Sequence, residues 1–286
     1  MFNDSSAMIA STIAQYVREA AQMPEIPTNF SELSKLYTRH FDVVRADTPA
    51  LLDRVYEIRY QVYCLENAFE DPAQNLGGRE IDAEDDRAAH TLLIHRESGE
   101  AAGTARVIFP DRRRPLPMER VLDSAGQRLF RCLPTQSTGE VSRFAVPKAF
   151  RRRRGEDRYA DVGVNGPPAQ AEQRVMPFIT FGLLRGIVSI CLESGLSHIT
   201  AVMEPPLIRL LKRFGLDFHS IGGLVEHHGL RQPCVARLFD LIGQVRDERS
   251  ALWLYARDEV SRHTDLDAPE ANRYAKSKAA ALPIDD

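Results

Sequence analysis

Cysteine is scarce in this sequence. Its four thiols, Cys64, Cys132, Cys191 and Cys234, include no C-x-x-C pair among 286 residues. No spacing suggests a zinc site, and the density is too low for a disulfide framework. Free thiols in a reducing compartment account for them. An excess of one charge is also missing. Lys+Arg 37 against Asp+Glu 40 leaves a formal net charge of -3, so no global basic field points to nucleic acid. Long hydrophobic runs are lacking too. The most apolar stretch, Val175 to Leu196, is interrupted by Pro177, Arg185 and Glu193, so no integral membrane span is expected. The N-terminus, MFNDSSAMIASTIAQYVREAAQ, has neither a basic leader nor a clean apolar core. It does not read as a secretory signal, and a cytoplasmic protein is expected. The sequence has no internal repeat and no twelve-residue calcium loop, and no metal ligand set is expected.

What is present suits a globular domain: 43% hydrophobic and 27% charged residues. Ile9, Ile13, Tyr16 and Val17 recur at helical spacing between Ser6 and Ala21, and a Pro-containing connector follows. Residues 1–30 therefore read as an appended helix, 31–265 as the main domain and 266–286 as a loose tail. The spacing predicts a helix over Pro49–Glu66, then short strands at Ala89–His95 and Gly103–Phe109 joined by a hairpin loop. A short helix is expected within Asp111–Pro134, and a third strand, Glu140–Val146, is stopped by Pro147. A long polar loop, Arg151–Gln173, precedes a helix at Val175–Ser194 closed by Gly195. A strand at His198–Met203, a helix at Pro205–Phe214 and strands near Phe218–Leu224 and Cys234–Leu238 follow. A last helix contains Asp247–Arg262. Hairpins first and helix–strand alternation later imply a mixed α/β (α+β) sheet with helices on both faces.

Three segments carry chemistry. Arg59 and Tyr63 are four residues apart on the second helix and share a face, as a solvated Arg above a packed Tyr also would. Glu80-Ile81-Asp82-Ala83-Glu84-Asp85-Asp86 crowds five carboxylates into seven residues. They repel unless cations or a charged amine sit among them, and a solvated acidic loop is the plainer alternative. Glu140-Val141-Ser142-Arg143-Phe144 places Glu and Arg in what should be a central strand. Strict alternation puts Glu140 and Ser142 on one side and Arg143 on the other. Charged residues are costly there unless paired, and such local violations concentrate at functional sites. His90, His198, His227 and His228 read as structural or surface residues.

Arg59, then Glu80-x-Asp82-x-x-Asp85, then Gly103-Thr104-x-Arg106, then Glu140-x-Ser142-Arg143-Phe144-x-Val146 occur in that order. This series resembles the signature of the acyl-homoserine-lactone synthases of the GNAT superfamily, over about Val55 to Leu238. Tyr60-Gln-Val-Tyr-Cys-Leu-Glu66 and Glu140 to Phe150 further resemble the exosortase/PEP-CTERM-associated acyltransferases, a group similar to the N-acyl amino acid synthases. The resemblance implies a GNAT-like fold and an N-acyltransferase. A long-chain acyl carrier protein thioester is the implied donor, an amino acid the implied acceptor, and no cofactor is bound. The sequence departs from the lactone synthases in its N-terminal segment, which weakens S-adenosylmethionine as acceptor. The coenzyme A loop Q/R-x-x-G-x-G/A is also incomplete, because Arg151-Arg152-Arg153-Arg154-Gly155 lacks the second glycine. Two alternatives remain: a lactone synthase using S-adenosylmethionine, and a non-catalytic binding module for acyl carrier protein.

Amide formation needs an unprotonated amine, and an α-amine is mostly protonated near neutral pH. Glu140, rigid on its strand, is the candidate base, the role that the resemblance implies for the matching glutamate. Asp82 and Asp85 are expected to attract the ammonium group. Arg143 and Arg106 are expected to pair with these acids or hold a substrate carboxylate. Arg59, Tyr63, Glu80, Ser142 and Phe144 complete the expected substrate site. Phe144, Val146, Phe178, Phe181, Leu184 and Met203 are candidate linings of an acyl tunnel, with core packing as their alternative. Arg151, Arg152, Arg153 and Arg154 form a basic run suited either to solvent or to the acidic face of acyl carrier protein.

Overall fold

Short strands, the central ones buried along most of their length, form one mixed sheet. The computed structural model describes residues 40–151, 175–213, 216–227 and 229–243. Its strands are β1 (Phe41–Arg45), β2 (Ala88–His95), β3 (Ala101–Ile108), β4 (Thr138–Ala145), β5 (His198–Met203), β6 (His219–Ser220), β7 (Val225–Glu226) and β8 (Leu230–Arg237). They run in the order β1-β2-β3-β4-β5-β8-β6, with β7 also paired to β8. The helices are α1 (Pro49–Arg59), α2 (Ser124–Phe130), α3 (Lys148–Arg151), α4 (Val175–Glu193), α5 (Pro205–Arg213) and α6 (Leu238–Gly243). The architecture is the mixed sheet with helices on both faces that the element order implied. The helix expected at Ser6–Ala21, the polar loop expected after Arg151, the helix expected to contain Asp247–Arg262 and the expected loose tail lie outside the described residues.

Two faces of the sheet have different coverings. Ile179, Leu183, Ile187 and Cys191 of α4 bury one face against Ala105, Val107, Ala102 and Leu93. Gly186 lets this helix come close, because a β-carbon there would collide with the side chain of Thr91. Val55 and Ile58 of α1 cover the other face with Leu92 and Ala145, and Met118, Leu116 and Leu122 continue that layer over Ile108. Helix α1 starts on Thr48, whose hydroxyl accepts from the Leu51 N–H at 3.3 Å, with Pro49 in the first turn. The helical stretch reaches Glu66 as expected, but from Tyr60 to Glu66 it is a π-helix. Such wide turns insert one residue into an α-helix and recur at functional sites.

Two departures from regular pairing shape the site. Strands β4 and β5 are parallel and paired only over Thr138–Glu140 against His198–Thr200. Both strands continue beyond, β4 to Ala145 and β5 to Met203, so the sheet forks just after Glu140. The second departure is a bulge. Arg106 pairs with Ser142 but Thr104 pairs with Ala145, so β4 carries one extra residue, and Arg143 has φ 50. The expectation that Arg143 faces away from Glu140 and Ser142 is therefore corrected. Val141 and Phe144 pack on the α4 side, whereas Arg143 joins Ser142 and Arg106 around Asp82 on the α1 side.

Other boundaries moved. The strand expected near Phe218–Leu224 is only His219–Ser220, and that at Cys234–Leu238 begins earlier, at Leu230, with Leu238 opening α6. Strand β1 has no counterpart among the sequence-derived elements. Its five residues, FDVVR, are too few to show a period.

Candidate active site

The α1 face beside the fork collects the charged residues. Arg59 ends α1 with 0% exposure, and its Nε donates to Glu80 Oε2 at 2.6 Å. Its Nη1 and Nη2 donate to the two oxygens of Asp85 at 2.7 and 3.0 Å, a bidentate pair. Arg106 on β3 donates through Nη1 to Asp82 at 2.5 Å and Asp85 at 2.8 Å, and through Nε to Ser142 Oγ at 3.0 Å. Arg143, swung inward by the bulge, donates through Nη2 to Glu80 and Asp82, both at 2.9 Å, and to Glu70 at 3.2 Å. Its guanidinium also lies 5.1 Å from the ring centroid of Tyr63, whose hydroxyl reaches the Phe144 carbonyl at 3.5 Å. Burying these charges is costly alone, and mutual pairing makes it tolerable. Arg59, Arg106 and Arg143 balance Glu80, Asp82 and Asp85, and Glu70 adds a further negative charge at the rim.

The acids separate by surroundings. Burial alone raises the affinity of Glu80, Asp82 and Asp85 for protons, but their arginine partners outweigh it and hold all three below the usual carboxylate range. Both oxygens of Asp85 are occupied, by Arg59, Arg106 and the Asp82 N–H. Asp85, expected to attract an ammonium group, thus has both oxygens engaged within the network. Asp82 is more open, with 28% of its side chain exposed, and lies beside Glu70 at the network's edge.

Glu140 is different. It is the last β4 residue paired across the fork, is 4% exposed, and accepts one hydrogen bond from the Met118 N–H at 2.8 Å. Burial pushes its pKa up to about 7, against the lowering effects of that N–H and of Arg106. A carboxyl group poised there can take a proton near neutral pH.

His90, read from the sequence as structural or surface, is buried and pairs with Arg106 across β2 and β3, a place beside the network that the sequence did not mark. Its Nε2 lies 3.4 Å from Asp85, and neither ring nitrogen has a hydrogen-bond partner among the described residues. Burial, with Arg59 nearby, pulls its pKa down to about 4, so it is neutral at pH 7. Glu70 was also missed. Both occur where polar residues are common, one early in a strand and one in a loop, so no pattern marked them.

The expected tunnel residues with described side chains lie on the opposite face. Phe144, Phe181 and Leu184 are partly buried against the core that contains Met203, and Val146 packs with Phe41 and Phe150. Phe144 touches both clusters. The side chains of Phe178 and Arg151, and residues Arg152, Arg153 and Arg154, lie outside the described residues. Among the described residues no cluster of His, Cys, Asp and Glu could hold a metal ion, and no helix is long and apolar enough to cross a membrane.

Residues 58–160 match the acetyltransferase (GNAT) domain model. Comparison with curated protein sequences finds no match. Among solved structures, the chain is similar to BjaI, a CoA-dependent acyl-homoserine lactone synthase solved with SAM and isopentyl-CoA. That similarity has 16% identity and a TM-score of 0.50, and covers 78% of this chain and 89% of the other. FeeM, an N-acyl amino acid synthase from uncultured soil microbes, matches at 16% identity and TM-score 0.47, covering 75% of this chain and 97% of the other. The AHL synthase LasI matches at 18% identity and TM-score 0.47, over 71% of this chain and 95% of LasI.

Proposed function

We propose, from the premise that this GNAT-fold chain is an acyltransferase, that it moves a long-chain fatty acyl group from acyl carrier protein to the α-amine of an amino acid. The observation that carries this reading is the position of Glu140. It sits at the apex of the fork, carries a pKa near neutrality, and lies beside a charge-balanced arginine–carboxylate network. Glu140 accepts a proton from the acceptor's ammonium group, directly or through a water. The freed amine attacks the thioester carbonyl, and the carbonyl oxygen becomes an oxyanion. Backbone N–H groups along the β4 edge beyond Glu140, where the β5 ladder has ended, are the natural donors to it. The tetrahedral adduct gives up its second amine proton as it collapses to the amide, and the departing thiolate takes up that proton.

The two faces of the sheet divide the work. The apolar α4 side, with Phe144, Phe181 and Leu184, suits the acyl chain. The α1 side, with Asp82 and Glu70 at its rim, suits a charged acceptor. The incomplete glycine loop after Arg151 favours a carrier protein over free coenzyme A as donor. The test incubates purified protein with long-chain acyl carrier protein or the matching acyl-CoA, and with mixed amino acids or S-adenosylmethionine. Mass spectrometry is expected to find N-acyl amino acids from the carrier-protein arm. Methylthioadenosine from the S-adenosylmethionine arm, with no N-acyl amino acid, would overturn the acceptor assignment.

A further inference from the structure

Arg231 stands apart from the other buried arginines. Its side chain is only 18% exposed, yet it has little to pair with. Its one hydrogen bond among the described residues is a long contact from Nη2 to Glu204 at 3.4 Å. Its Nε is buried without a hydrogen-bond partner among the described residues. Arg59, Arg106 and Arg143 each make several shorter bonds to carboxylates. A buried guanidinium N–H left uncommitted is costly unless something else satisfies it.

Its location indicates what that is. Met203 pairs with Gln232, so Arg231 lies one residue past the ladder, at the open end of the fork. Its guanidinium carbon lies 5.9 Å from the ring centroid of Phe69. Phe69 packs on Tyr63 with centroids 6.0 Å apart, and Tyr63 lies under Arg143. The chain Arg143–Tyr63–Phe69–Arg231 therefore spans the mouth of the fork from β4 to β8, on the side of the carboxylate network. Arg143 is already engaged by Glu70, Glu80 and Asp82, whereas Arg231, facing the same mouth, has only the long contact to Glu204 among the described residues.

We propose that Arg231 binds the α-carboxylate of the acceptor. An amino acid then spans the mouth with its carboxylate on Arg231 and its amine toward Glu140, while Phe69 and Tyr63 flank it. This rests on the reading of the acceptor as an amino acid. It adds a selection rule: the enzyme discriminates against amines that lack the carboxylate. Arginine suits the task because its planar fork takes both carboxylate oxygens, and Lys cannot reproduce that geometry.

The test compares each common L-amino acid with its carboxamide as acceptor, using wild type, R231Q and R231K. Wild type is expected to prefer the acid. R231Q is expected to raise KM for the acid by on the order of 10- to 100-fold, with little change in kcat and little change on the carboxamide. R231K should lie between the two. Thermal unfolding of both variants checks the fold, and if R231Q does not fold, R231K decides. A wild type that acylates amino acids, with variants that keep its acid preference or lose acid and carboxamide equally, overturns the role of Arg231. A raised KM for the acyl donor instead assigns Arg231 to the donor and also overturns it. If wild type acylates no amino acid at all, the parent reading fails and this one with it.

Discussion

Glu140 and Asp85 are both buried carboxylates, and their neighbours push them in opposite directions. Asp85 faces two guanidinium groups and stays ionised, whereas Glu140 faces one N–H and an apolar layer and binds its proton up to about pH 7. The first is suited to holding structure and the second to exchanging a proton. Replacing Asp85 by Asn leaves Arg59 and Arg106 short of a buried counter-charge, and such a loss costs about 3–5 kcal/mol. Urea unfolding of D85N should show that loss, and a change within about 1 kcal/mol would mean that the network is more hydrated than its burial implies. At this scale the sequence was informative. Arg59, Glu80, Asp82, Asp85, Arg106 and Arg143 were all singled out from their order, and all meet. His90 and Glu70 were not, because a buried neutral His and a loop Glu look like any others until the fold brings arginines to them.

The bulge in β4 decides which way Arg143 points, and it was not legible. Period-two alternation assumes an unbroken strand, and a single inserted residue reverses every later assignment. The left-handed backbone of Arg143 gives a direct test, because glycine adopts that conformation without the penalty that a β-carbon incurs. Both R143A and R143G lose the ion pairs, but R143G should be the more stable by about 1 kcal/mol in urea unfolding, the reverse of their usual order in a strand. Alanine proving the more stable would argue against the bulge. The π-helix from Tyr60 to Glu66 escaped notice for a similar reason, since a hydrophobic pattern over one turn cannot separate π from α. Long elements such as α4, and β5 with its clear bounds, were legible because many residues agree.

For the whole molecule, the titrating groups set the response to acid. The folded pKa of His90 lies below its unfolded value, so its contribution declines as pH falls from about 6.5 to about 4. Glu140 has the opposite sign, since its folded pKa lies above its unfolded value and stability rises as pH falls from about 7 to about 4.5. The two roughly cancel. The carboxylates of Glu80, Asp82 and Asp85 have lowered folded pKa values, so their stabilisation is lost only below about pH 4. Wild-type stability should therefore be nearly level from pH 7 to 4.5 and then fall steeply, whereas E140Q should already weaken over the level range. Matching curves for the two proteins would contradict the raised pKa. The fold class was legible at this scale because hairpins and helix–strand alternation leave few topologies open. The fork was not, since it is made by where pairing stops rather than by any residue type. The proposed role of Glu140 as proton acceptor at that fork is tested most directly by the pH profile of kcat/KM for N-acyl product formation. Wild type should gain activity through an apparent pKa near 7, and E140Q should be slower by about 10²- to 10⁴-fold with that limb absent. An E140Q enzyme with the wild-type rate and the same acid limb would contradict it.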